Sequence, residues 1–219
     1  MTITEAMQTR HSVRKYVNKP IPDDLLEKLN TRINENNEKY DLAIKLKVND
    51  ESAFNMIIKL VLAKGVKNFL ILCGKDTPDL DEKLGYCGAD ILLYAQTLGL
   101  NTWWAGSTFN KKSTSKAADG DRVTGVISIG YGTTQGIPHQ SKKPEAVSSY
   151  NDETPEWFKN GVAAALLAPT ALNKQAFSIK GENNKVFIKC DNGIFTGSDL
   201  GIIKYHFEVG AGKENFDWV

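Results

Sequence analysis

Cysteine, one-sided charge and long apolar runs are all scarce in this sequence, and each scarcity closes off a class of protein. Cys73, Cys87 and Cys190 are the only cysteines among 219 residues. Scattered and odd in number, they fit reduced, buried thiols better than a disulfide framework or a zinc site. Lys+Arg at 27 against Asp+Glu at 26 leaves a net charge of +1, so no global field asks for nucleic acid or an anionic membrane as partner. Any anion site must therefore be local. No window approaches the roughly 18 consecutive apolar residues of a membrane span, and Met1 to Gln8 carry no basic stretch feeding an apolar run. The expectation is a soluble, cytoplasmic protein. No Ser-His-Asp or Cys-His-Asn order, Walker-type glycine loop or metal-ligand spacing is visible, so no metal is expected. The glycines from Gly125 to Gly136 lack the strand, GxGxxG, helix context of a nicotinamide Rossmann site.

What is present is ordinary globular material: 41% hydrophobic and 24% charged residues, enough to bury a core. Thr9 or Thr4 is placed to cap a first helix, and Pro20 to Asp24 break the chain before a second helix at Leu25 to Leu29. Asp41 to Val48 alternate as a half-buried strand, and Phe69 to Cys73 read as a strand buried on both faces. Tyr86 to Leu100 show helical spacing with a stop at Gly99. Trp103-Trp104-Ala105-Gly106 then lead into a loop, Arg122 to Tyr131 read as a central strand, and the segment up to Pro144 as an extended connection. A second half repeats this outline: a helix from Pro155 to Leu167, strands at Ala176 to Ile179 and Lys185 to Lys189, and a helix from Asp199 to Val209. Asp90 and Asp199 each follow a glycine at a helix start, which suggests weak internal duplication. The division expected is residues 1–150 and 151–219, in an α+β fold.

The chemistry concentrates in Arg10-His11-Ser12-Val13-Arg14-Lys15-Tyr16. Read as helix, this places two guanidinium groups four residues apart on one face. Arginine offers planar bidentate donors to phosphate oxygens and serine adds a hydrogen bond. Taken alone, the segment is better described as a solvated basic helix end with no ligand. Asn173 and Gln175 carry amides that donate and accept at once, which suits the polar edge of a heterocycle, although loop amides are commonplace. His139 and His206 are the other titratable candidates. His206, beside Phe207 in an apolar helix, reads as a satisfied structural histidine.

Arg-x-Ser-x-Arg-x-Tyr followed by Lys19-Pro20-Ile21-Pro22 resembles the N-terminal signature of the FMN-dependent nitroreductase family. Ala168-Pro169-Thr170-Ala171-Leu172-Asn173-Lys174-Gln175 is similar to that family's flavin-contact loop, and Gly88 to Gly106 to its central helix and the loop along the isoalloxazine. The resemblance implies a three-layer α/β/α sandwich, with a pseudo-dimer of two halves in one chain as a further expectation. It implies FMN as cofactor, its phosphate on Arg10, Ser12 and Arg14, and His11 near the ribityl chain. Ala105, Gly106, Pro169, Thr170, Asn173 and Gln175 would contact the ring, and the late basic pair Lys142-Lys143 would close over the phosphate. In ordinary members the amide loop follows the arginine motif closely, whereas here it comes late in the chain. The first half has Asn30 to Asn37 in its place, without proline, and the second half has Glu153 to Phe158 where the arginine pair would stand. Hence the expectation of a fused, diverged dimer holding one flavin per chain, as a monomer or weak homodimer.

The activity so implied is hydride transfer from NADH or NADPH through flavin N5 to a small-molecule electron acceptor such as a nitroaromatic or quinone, with Trp103 or Trp104 as one wall of the slot and no catalytic side chain. The alternatives are an FMN-binding storage or sensor protein without rapid turnover, and a non-flavin phosphate-ligand protein.

Overall fold

The computed structural model describes residues 1–138 and 140–219; the candidate His139 lies outside the described residues. Helix α1 spans Ile3–Thr9. Its cap is Thr2, not Thr4 or Thr9: the Thr2 hydroxyl accepts the Glu5 N–H, and the Glu5 carboxylate accepts the Thr2 N–H at 2.8 Å. Helix α2 runs Asp23–Tyr40, with Asp23 and Asp24 favourably placed in its first turn. The alternating stretch from Asp41 contributes only a short strand, β1 at Lys45–Lys47. It is followed by α3 at Met56–Val61, capped by the Asn55 side chain, then β2 at Phe69–Gly74, buried along its whole length as expected.

Helix α4 spans Leu80–Thr97, and Asp90 lies well inside it rather than at its start. Gly99 follows with φ +78, the left-handed stop read from the sequence. The Trp103-Trp104-Ala105 stretch is strand β3, Asn101–Ala105, not a loop. Helix α5 at Lys111–Ala118 precedes β4 at Arg122–Gly130. The remaining elements are β5 at Ser148–Tyr150, α6 at Glu156–Ala165, β6 at Phe177–Glu182, β7 at Lys185–Cys190, α7 at Thr196–Ala211 and β8 at Asp217–Trp218.

The strands form two four-stranded sheets, β1-β2-β4-β3 and β5-β6-β7-β8. The first is antiparallel throughout; in the second, β5 pairs parallel with β6, β6 antiparallel with β7, and β7 parallel with β8. Because side chains alternate across a strand, β2 feeds two cores. Leu70 and Leu72 join α4 and α7 in the main cluster, while Phe69, Ile71 and Cys73 face Phe54, Trp103 and Ala118 of α5. The first sheet is thus the middle of an α/β/α sandwich, and α7 carries the packing on to the second sheet.

Two glycines let α4 and α7 cross closely. A Cβ on Gly201 would stand 1.9 Å from the Glu82 carbonyl oxygen, and one on Gly85 would stand 2.2 Å from that of Ser198. A buried ionic node locks the crossing. The Asp90 carboxylate of α4, 2% exposed, accepts from Arg32 Nε and Nη2, each at 2.7 Å, from Asn36 Nδ2 at 2.7 Å and from the Tyr205 hydroxyl at 2.6 Å. Every lone pair of that buried charge is engaged, which is what its desolvation demands. The main core cluster draws on residues both before and after position 150, from Ala6 to Phe216, and β5 pairs within the second sheet.

Candidate functional site

The Arg10 to Tyr16 segment is not helical. Arg10 has already left α1, with φ −73 and ψ 124, Ser12 forms a parallel bridge to Thr102, and Tyr16 an antiparallel one to Gly132. The Val13 N–H donates to the Thr102 carbonyl at 3.0 Å, tying the segment to β3. Side chains of an extended chain group with a period of two, and this gathers Arg10, Ser12 and Arg14 where a helix would have sent Ser12 away from both.

Arg10, His11, Ser12 and Arg14 line a cavity of about 570 Å³, together with Trp103, Trp104, Ala105 and Gly106 from β3 and its exit, and Pro169, Thr170 and Asn173 from the loop after α6. The volume is that of a cofactor or ligand site. Nine of the twelve residues expected from the sequence therefore meet at one cavity, although nearly the whole chain separates their segments. Lys142, Lys143 and Gln175 are absent from the lining. Gln175 is buried behind the loop: its amide nitrogen donates to the Gln140 carbonyl at 2.9 Å and to Asn173 Oδ1 at 3.0 Å, while its Oε1 accepts the Lys142 N–H at 2.7 Å. Lys142 Nζ donates back to the Gln175 carbonyl at 2.8 Å, and Asn173 Nδ2 donates to the Gln140 carbonyl at 3.0 Å. Lys143 is exposed. These amides brace the loop against the 140–142 segment. That connection also skirts the phosphate motif, since a Cβ on Gly136 would stand 2.7 Å from His11 Cβ.

Arg10 is the electrostatic anomaly. It is 5% exposed, its Nε has no hydrogen-bond partner, and among the described residues no carboxylate lies within 4.0 Å of its guanidinium. Burial depresses its pKa to about 10. A buried cation without a counter-charge among the described residues carries a desolvation penalty that an anion beside it would relieve. Arg14 lies over the Trp103 ring, 5.3 Å from the centroid, and Trp103 stacks in turn on Phe54 at 5.2 Å and 13°. The guanidinium is therefore steered without being neutralised. Trp104 packs its indole against α4, where a Cβ on Gly88 would stand 2.5 Å from the ring; Gly106 makes similar room for Phe195.

Sequence reasoning passed over Phe195, Ser198 and Asp199, which also line the cavity. Asp199 is half-buried in the first turn of α7, and burial raises its pKa to about 6 against the opposing Ala171 N–H. Its position after a glycine was visible, but nothing local marked it as facing the amide loop. The three cysteines are buried and unpaired, with thiols pushed up to about 11 for Cys73 and about 12 for Cys87 and Cys190, so none is poised as a nucleophile. His206 is fully buried, with Nδ1 2.8 Å from the Ile202 carbonyl, the structural role expected. Among the described residues there is no metal-binding cluster of His, Cys, Asp or Glu, and no helix is long and apolar enough to cross a membrane.

No sequence among curated proteins matches this chain. Among solved structures, one described as a putative nitroreductase from Thermotoga maritima is similar over 98% of this chain and 85% of its own, with TM-score 0.73 and 21% identity. One from Desulfovibrio desulfuricans, described as a putative nitroreductase in complex with FMN, aligns over 71% of this chain and 98% of its own, with TM-score 0.54 and 16% identity. One from Staphylococcus epidermidis, described as a putative NAD(P)H:FMN oxidoreductase, aligns over 67% and 94%, with TM-score 0.54 and 14% identity. At these identities the likeness is one of fold, and that fold is the α+β nitroreductase fold. The family model described as "Putative TM nitroreductase" matches residues 2–211, and the chain belongs to that family.

Proposed function

We propose that this protein is an FMN-dependent oxidoreductase that takes hydride from NADH or NADPH and passes it to a small electron acceptor such as a quinone or nitroaromatic. The observation that carries the reading is the buried Arg10 guanidinium, unpaired at Nε, facing a cavity whose other walls are Arg14, Ser12, the Trp103-Trp104 strand and the Pro169 to Asn173 loop. The donor set fits a phosphate, and the aromatic and amide walls fit a flat heterocycle. The FMN complex of the Desulfovibrio relative and the naming of the Staphylococcus one support the same class of cofactor.

Arg10, Ser12 and Arg14 hold the phosphate, and the burial of Arg10 strengthens its charge-assisted bond. Trp103 keeps Arg14 aimed into the cavity through the cation–π contact. Pro169, Thr170 and Asn173 form the opposite edge, so that one chain supplies both parts of one site. When bound, FMN supplies the hydride-accepting and hydride-donating ring, and the protein's task is binding, orientation and exclusion of water. Among the described residues lining the cavity there is no cysteine, and hydride transfer through the flavin asks for no acid-base side chain. The test is oxidation of NADH or NADPH by the FMN-loaded protein with a quinone or nitroaromatic present. A loaded protein that oxidises neither nucleotide with any such acceptor sinks the catalytic part of this reading.

A further inference from the structure

Asp199 is the only acidic side chain among the described residues lining the cavity, and no Lys, Arg or His of the described residues pairs with it. Both of its carboxylate oxygens accept one backbone donor, the Ala171 N–H, at 2.9 and 3.2 Å. A half-buried carboxylate without a cation is unfavourable at neutral pH, and such groups persist where the surrounding structure uses them. What this one holds is an unusually contorted turn. Leu172, Asn173 and Gln175 all sit in the left-handed region, with φ 53, 53 and 47, although none is glycine. Burial does not hold Leu172 there, since it is 87% exposed at the cavity rim. The far end of the turn is braced through Gln175 to the 140–142 segment, and the near end through Ala171 to α7.

We propose that Asp199 is a positioning residue that accepts the Ala171 N–H from α7 and so fixes the Thr170 to Asn173 edge of the cavity in the shape that receives the flavin. This rests on the FMN reading above and adds to it a residue outside the motifs that carried that reading. What the role needs is an acceptor oxygen at that place, which asparagine also offers and alanine does not.

The experiment compares wild type, Asp199→Ala and Asp199→Asn by amide hydrogen exchange of ligand-free protein, by FMN titration and by thermal melting at pH 7. Expected for Asp199→Ala are exchange at Ala171 to Gln175 and an FMN Kd each raised about tenfold or more, as loss of a charge-assisted bond implies. Exchange in β2 and α4 stays unchanged, and the melting temperature is no lower than that of the wild type because an uncompensated charge has been removed. Asp199→Asn brings both loop exchange and FMN affinity back to within about threefold of wild type. The proposal is overturned if Asp199→Ala exchanges and binds as wild type does, if it melts lower or fails to fold, or if Asp199→Asn is as impaired as Asp199→Ala. Failure of the wild type itself to bind FMN would sink the functional reading instead, and loop exchange in the two variants would still decide the role of Asp199.

Discussion

Arg10→Met separates an arginine kept for a ligand from one kept for the fold. Methionine is similar in reach, apolar and adaptable, so it fills the volume while removing the charge. Burial lowers the guanidinium pKa from its ordinary value to about 10. Below pH 10 the group is protonated in both the folded and unfolded states, so the full desolvation penalty is present at working pH. It is relieved only as pH rises above about 10 towards the ordinary arginine range, where the folded state releases its proton first. The depression corresponds to a ceiling of about 3 kcal/mol. The ligand-free variant is therefore expected to be more stable than wild type by about 1–3 kcal/mol, a rise in Tm of roughly 3–9 °C for a chain of this length. FMN binding moves the opposite way: losing a charge-assisted phosphate contact costs about 1.5–3 kcal/mol, a rise in Kd of about 10- to 150-fold. At an FMN concentration about 100 times the wild-type Kd, the wild type gains about 2.7 kcal/mol from binding and the variant much less. Differential scanning fluorimetry with and without FMN reads both effects. A variant that melts lower than wild type without FMN, or binds FMN equally well, refutes the reasoning.

Further outcomes follow from the same contacts. Asp90→Ala leaves the Tyr205 hydroxyl without its acceptor, Arg32 with only the Glu35 contact at 3.4 Å and Asn36 Nδ2 with only the Arg32 carbonyl at 3.1 Å, and should destabilise by about 2–4 kcal/mol in denaturant titration, because buried donors lose their acceptor. Gly88→Ala places a Cβ 2.5 Å from the Trp104 ring; we expect a stability loss of about 1–3 kcal/mol and a changed tryptophan fluorescence maximum, since the displaced indole lines the cavity. Burial raises the folded-state pKa of Asp199 to about 6, above the ordinary aspartate value of 3.8. Below about pH 4 it is neutral in both states; between about pH 4 and 6 the unfolded chain ionises first, so its contribution to stability falls as pH rises through that window. Discounted for partial exposure, the fall is about 1–2 kcal/mol, and it should vanish from the stability–pH curve of Asp199→Asn.

How far the sequence could be read depended on whether each element's pattern was local. The buried run of β2 and the apolar periods of α4, α6 and α7 announce themselves, as does the Gly99 stop. Helix α3 does not: Met56, Ile57, Leu60 and Val61 all face solvent, so no polar face alternates with an apolar one. Strand β3 reads as a loop because it is short and ends in small residues, yet its pairing with β4 presents both tryptophans to the cavity. The Arg10 to Arg14 cluster was found under the wrong geometry. Spacing by four brings two arginines together in a helix, but only the extended chain also brings Ser12, and the bridge to Thr102 that enforces it lies ninety residues away. Separation in sequence also hid Asp199, whose meaning comes from Ala171, 28 residues earlier. Motif chemistry located the walls of the site; the bracing amides of Asn173 and Gln175 and the detour of Lys142 behind the loop come from tertiary contacts that no window of sequence contains.

On the proposed function one chain completes one FMN site, with Arg10, Ser12 and Arg14 on one side and Pro169 to Asn173 on the other. Titrating FMN into ligand-free protein of known concentration, with the assembly mass measured by light scattering on the same sample, tests it directly. The account predicts saturation at one FMN per polypeptide whatever the assembly mass, and Arg14→Ala should weaken that binding by about 2 kcal/mol. Two FMN per chain, one per pair of chains, or no saturable uptake would contradict it.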